Sequence, residues 1–148
     1  MLRRLTLREF ALVESLELEF GPGLCLLTGE TGAGKSILVE ALGLLSGRRA
    51  DMEMVREGAE EACVEGVFEP AGAGAAALLR RWDLPESSEI VIRRRVSRSG
   101  RGAATVNGAQ VSISQLKSLG EDLLEIHGQH QGQALLDEES HRELLDGL

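Results

Sequence analysis

Apolar and polar residues alternate near the start of the chain. Leu5 and Leu7 are set among Arg4, Thr6 and Arg8, and Leu16, Leu18 and Phe20 flank Glu17 and Glu19. A period of two puts one face of each segment in a core and the other in water, which predicts two strands paired as a hairpin around EFALVE. The turn FGPG then leads into Leu24-Cys25-Leu26-Leu27, an apolar run closed by Thr28 and Gly29. Such a run suits a buried parallel strand. Past it the period lengthens, with apolar residues at Ile37, Leu38, Ala41, Leu42 and Leu45, the spacing of a helix with one buried face. Gly47 is a stop signal for that helix.

Beyond the polar connection RRADMEMVREGAEE, the segment ACVEGVFE alternates again and predicts a strand, and AGAGAAALLRRW predicts a short helix. EIVIRRRVSR and AATVN read as strands around the turn SGRG. Asn107-Gly108 is a hairpin signal, because both residues tolerate positive φ. SISQLKSLG predicts a helix capped by Ser112 or Ser114. DLLEI reads as a strand, HGQHQGQ as a loop and DEESHRELLDGL as the start of a further helix. Strands dominate early with helices interspersed, so the fold class is α/β or mixed α+β.

A chain of 148 residues is about one domain, and its 43% apolar content is that of a globular protein. No apolar run reaches membrane-spanning length, and MLRRLTLREF lacks the apolar centre of a signal peptide, so the expected location is cytoplasmic. Cys25 and Cys63 lie in strand-like runs and are expected to be small buried residues rather than a disulfide. The net charge of −8 argues against a nucleic-acid surface spread over the whole domain. RRRVSRSGR is the one basic concentration, with Arg93, Arg95 and Arg101 on one strand face and Arg94 opposite. It fits phosphate contact with DNA or a hairpin edge guarded by charge.

Residues Gly29-Glu30-Thr31-Gly32-Ala33-Gly34-Lys35-Ser36 fit G-x-x-x-x-G-K-[ST] at every fixed position, between a predicted strand and a predicted helix opening near Ile37. Glycines let the backbone wrap a phosphate with its N–H groups inward, and the helix N-terminus favours the anion. In this scheme Lys35 reaches the β- and γ-phosphates of ATP and the Ser36 hydroxyl binds Mg²⁺. The acidic residue that completes such a magnesium site at the end of a second apolar strand is missing: LLEIH ends in His127, and CVEGVFE carries Glu65 mid-strand and ends in Glu69. His127 and His130 alone are too few ligands for zinc.

The hairpin ending in Phe20, the run from Gly23 to Gly29 and the motif GETGAGKS resemble the start of an ATP-binding-cassette head of the SMC type. The segment VNGAQVSISQLKSLGEDLLEIHGQHQGQALLD is similar to the bacterial recombination and DNA-repair members of that family. The resemblance implies an ABC-type head lobe with an antiparallel β subdomain and a P-loop strand–helix unit over residues 1–136. Residues 137–148 would begin a helix leading to a coiled coil. It implies binding of ATP and Mg²⁺ by residues 29–37, with Lys35 and Gln129 in catalysis and Ser36 and Gln129 on the metal; Gln131 is a second candidate. The implied partners are DNA, the C-terminal half of the head carrying the signature motif and Walker B acid, and a second head. The implied setting is cytoplasmic and nucleoid-associated, in double-strand-break repair. The residues alone leave open a self-contained P-loop phosphotransferase, or a DNA-binding module with a vestigial loop.

Overall fold

The computed structural model describes residues 1–23, 33–70 and 72–124. Six strands form one sheet among these residues, in the order β2-β1-β3-β4-β5-β6, with every neighbouring pair antiparallel. They are β1 (Leu2–Phe10), β2 (Val13–Glu19), β3 (Glu61–Phe68), β4 (Ile90–Ser97), β5 (Gly102–Val106) and β6 (Ala109–Val111). The expected first hairpin forms, with Leu5 opposite Leu18, Leu7 opposite Leu16 and Phe10 opposite Val13. Its turn is tied to the connection ahead of β3: Ala11 donates to the Met54 carbonyl, and Arg56 to that of Glu9. That connection, expected as merely polar, contains a 3-10 turn at Met52–Met54, capped by Asp51.

Three helices pack on the sheet's apolar face or beside it: α1 (Ala33–Leu45), α2 (Ala73–Arg81) and α3 (Ile113–Leu123). Alternation explains the core, since Leu5 and Leu7 on β1, Ala62 and Val64 on β3, and Ile90, Ile92 and Val96 on β4 are all buried. Asn107 and Gly108 turn β5 into β6, both at positive φ as the sequence required. The Asn107 side chain does more than turn the chain. Its Oδ1 accepts from Val91 N at 2.9 Å and its Nδ2 donates to Pro85 O at 2.8 Å. Trp82, the chain's one tryptophan, follows α2 and packs against the core.

Of the two candidate caps of α3, Ser112 is the one used. It accepts from Gln115 N while the Gln115 side chain accepts from Ser112 N, a reciprocal capping box. The strand expected at DLLEI is corrected over its described residues, because Asp122 and Leu123 are the last turn of α3 and Leu124 is its extended C-cap; residues 125 and 126 lie outside the described residues. Leu116, Leu119 and Leu123 extend one apolar stripe at helical spacing, and that stripe outweighs the short apolar run. The apolar run at 24–28, the loop at 127–133 and the helix at 137–148 lie outside the described residues.

Candidate nucleotide site

Lys35 and Ser36 stand in the first turn of α1, both exposed, after an exposed Gly34. The other face of the helix carries Ile37, Ala41, Leu44 and Leu45, all buried. The spacing that predicts one apolar stripe therefore leaves Lys35 and Ser36 on the open side. No acidic residue lies in the first turn of α1. No carboxylate of that turn therefore competes with an anion for the positive end of the helix dipole. Lys35 brings a cation to this end and Ser36 a hydroxyl, groups of the kind that meet a phosphate and a hard divalent cation. Residues 29–32 of the motif, Gln129 and Gln131 lie outside the described residues, and of Ala33 only the helical backbone is described.

The far end of α1 is held in place. Gly47 adopts φ +88 and donates to Leu44 O at 3.1 Å, while Arg48 N donates to Gly43 O at 3.0 Å. This pair of bonds ends the helix in a Schellman motif, which bears out Gly47 as the stop. Two close approaches fix α1 on its neighbours. A Cβ on Gly66 of β3 would lie 2.6 Å from Leu45 Cδ1, and one on Gly120 of α3 would lie 2.6 Å from Ser46 Cα. A methyl group at Gly120 would press on backbone, whereas one at Gly66 would have to displace the Leu45 side-chain tip.

The arginine triplet divides as the alternation predicted. Arg93 and Arg95 are exposed and Arg94 is 3% exposed. Arg94 reaches under α1, where Nη1 donates to Leu44 O and to Arg48 O, each at 3.0 Å. A cation here meets the negative end of the helix dipole, giving Leu44 O a second donor beside Gly47 N and giving a donor to Arg48 O just beyond the helix. Its Nε is buried without a partner, and burial pulls the guanidinium pKa below its ordinary value. Sequence reasoning missed this role. The available signal was a charged residue on the apolar face of a strand, between Ile92 and Val96.

On the outer face Arg93 Nε donates to Glu65 Oε2 at 2.8 Å, and Arg95 Nε lies 3.8 Å from Glu61 Oε1. The hydrogen bond to Glu65, and then its charge, raise the Arg93 pKa. The edge-guarding explanation of these arginines is corrected, because β4 lies between β3 and β5 and is not an edge. Their charges are answered by carboxylates on the neighbouring strand, so this face is mixed rather than basic. Cys63, expected to be buried, is only partly so and faces outward between Arg8 and Arg95. Desolvation is the main cause of its raised pKa, with Arg93 pulling the other way.

An exposed Lys-Ser pair opening a helix that is buried along its other side, beside an antiparallel sheet, defines the head lobe of a P-loop ATPase. A family model described as an AAA domain matches residues 4–142, and the chain belongs to that family. It is 46% identical over 147 residues to the DNA repair protein RecN of Xylella fastidiosa, covering 99% of this chain and 26% of the relative. It is 44% identical over 148 residues to the DNA repair protein RecN of Bacillus subtilis, again covering 99% of this chain and 26% of the relative. The chain thus spans about a quarter of the length of these relatives. One solved structure, from work on ATP-driven dimerization and DNA-stimulated activation of SMC ATPases, has a TM-score of 0.71 at 20% identity over 98% of this chain and 97% of its own. That likeness shows the fold. The recombination mediator protein RecF with ATP has a TM-score of 0.67 at 27% identity, over 95% of this chain and 35% of its own. No helix among the described residues is long and apolar enough to cross a membrane.

Proposed function

We propose that the chain is the ATP-binding lobe of a DNA double-strand-break repair and recombination ATPase. Residues 1–136 form the lobe, and residues 137–148 start the helix toward a coiled coil. The observation that carries the proposal is the position of Lys35 and Ser36 at the open N-terminus of α1, completing the phosphate-loop motif in a RecN-like chain. Residues 29–37 hold the phosphates of ATP, with Lys35 on the terminal ones. Ser36 and Gln129 ligate Mg²⁺, and Gln129 also orients the attacking water. The signature motif and the Walker B acid come from another segment or chain, and ATP brings two heads together. DNA is engaged by the complete protein, within the cytoplasm and at the nucleoid.

The test is reconstitution. The 148-residue chain is expected to bind ATP and turn it over negligibly, and to gain turnover and ATP-dependent self-association when the remainder of a RecN-like head is added. Sustained hydrolysis by the isolated chain, or phosphate transfer to a small acceptor, would refute the proposal in favour of a self-contained enzyme.

A further inference from the structure

A cavity of about 780 Å³ lies at the end of α1 away from Lys35, between the 3-10 turn, the β4–β5 turn and the start of α3. Its charged lining is Arg49, Arg94 and Lys117 against one carboxylate, Asp51. That carboxylate accepts from Glu53 N at 3.0 Å and keeps its charge, so the lining carries an excess of two positive charges. Among the described residues no acidic side chain is within ion-pair distance of Arg49, Arg94 or Lys117. Other arginines of the chain do find partners: Arg3, Arg56, Arg80, Arg93 and Arg95 each meet a glutamate. Three cations around one cavity against a single carboxylate, in a chain of net charge −8, run against the general field of the molecule.

A second observation comes from Arg94 itself. Its guanidinium is 3% exposed and its Nε has no acceptor, so its charge is balanced only by the Leu44 and Arg48 carbonyls. A buried cation with no anion nearby is costly unless something supplies one. Guanidinium and ammonium groups lining one cavity match in kind the several oxygens and the double charge of a phosphate. Met52 and Ile113, both exposed, add an apolar rim on which the rest of a phosphorylated molecule can rest.

We infer that this cavity is a second anion site, distinct from the phosphate loop, which takes a phosphate group through Arg49, Arg94 and Lys117. The group belongs either to a nucleic-acid backbone or to a small phosphate, and both present the same oxygens. The inference does not depend on ATP binding at Lys35.

The test uses the 148-residue chain carrying Lys35→Ala, so that the phosphate-loop lysine is out of play. It is titrated with inorganic phosphate and, separately, with a mixed-sequence DNA duplex, and the amide resonances of Gly47, Gly100 and Gly102 are followed. These resonances are expected to shift with at least one probe. Adding Arg49→Ala and Lys117→Ala, both at exposed positions, is expected to weaken that binding roughly tenfold or more while the spectrum stays that of a folded chain. If DNA is the source, the slope of log affinity against log salt falls by about one for each cation removed. A response to phosphate alone assigns the site to a small phosphate. Silence at the three glycines with both probes, or binding unchanged by the double substitution, overturns the inference and leaves the nucleotide proposal untouched.

Discussion

Arg94 Nη1 donates to the carbonyl of Leu44 at 3.0 Å, joining the middle of β4 to the last turn of the helix that opens on Lys35. The same nitrogen also donates to Arg48 O, so one guanidinium closes two carbonyls where α1 ends. Arg94→Ala removes the side-chain donor from both carbonyls, of which Leu44 O keeps Gly47 N, and leaves a void; a lost hydrogen bond to a charged group costs about 1.5–3 kcal/mol. The urea midpoint of the variant is expected to fall well below that of the parent. An unchanged midpoint would mean that water closes the carbonyls equally well.

Arg93, one residue away, is expected to matter far less. It is exposed and its bond to Glu65 is a surface ion pair, of a kind worth about 0–1 kcal/mol. Arg93→Ala should therefore leave the urea midpoint almost unmoved and reduce what little stability is sensitive to salt. A loss as large as that for Arg94→Ala would contradict the assignment of the two side chains to opposite faces.

Lys35→Ala is expected to abolish detectable ATP binding by titration calorimetry while the chain still folds. The side chain is exposed while the packing of α1 rests on Ile37, Ala41, Leu44 and Leu45. Unaltered ATP affinity would remove Lys35 from the site.

Gly120→Ala probes how tightly α3 is set against α1. Its methyl group would lie 2.6 Å from Ser46 Cα, a backbone atom with little freedom to retreat. Overpacking of this kind costs about 1–3 kcal/mol, enough to lower the melting temperature by several degrees. A variant as stable as the parent would show that the helices separate without cost.

Cys63 gives a prediction in pH. Burial raises its pKa in the folded chain above that of an unfolded thiol, so the folded state retains the proton longer. The unfolded state then binds fewer protons between the two values. Stability is intact below the ordinary thiol range and declines as pH rises through it. Alkylation of the peptide containing Cys63, followed by mass spectrometry near neutral pH, should be slow relative to the urea-unfolded chain. Equal rates would show that burial does not protect the thiol.

Much of this fold was legible in advance because its signals are local. The hairpin of β1 and β2 follows from alternation between Arg4 and Glu19, and the β5–β6 turn from two adjacent residues able to take positive φ. The end of α1 at Gly47 follows from the same conformational freedom. DLLEI misled because a few apolar residues in a row do not reveal their period; contact of the stripe with the core kept Asp122 and Leu123 helical. The basic triplet misled in its setting, because the position of β4 inside the sheet depends on which strands pair with it.

By itself the sequence determined which segments alternate, where the chain turns, and that Lys35 and Ser36 open a helix after a glycine-rich run. Each of these depends on neighbours a few residues apart. Only the tertiary structure decided that Arg94 is a buried cap, and that Arg49 and Lys117 line the same cavity. The carbonyls Arg94 binds lie 50 and 46 residues away along the chain, and no local pattern encodes a hydrogen bond across that distance. Burial of a charge is settled by what the fold places around it, and that surrounding exists only once the sheet and helices have closed together.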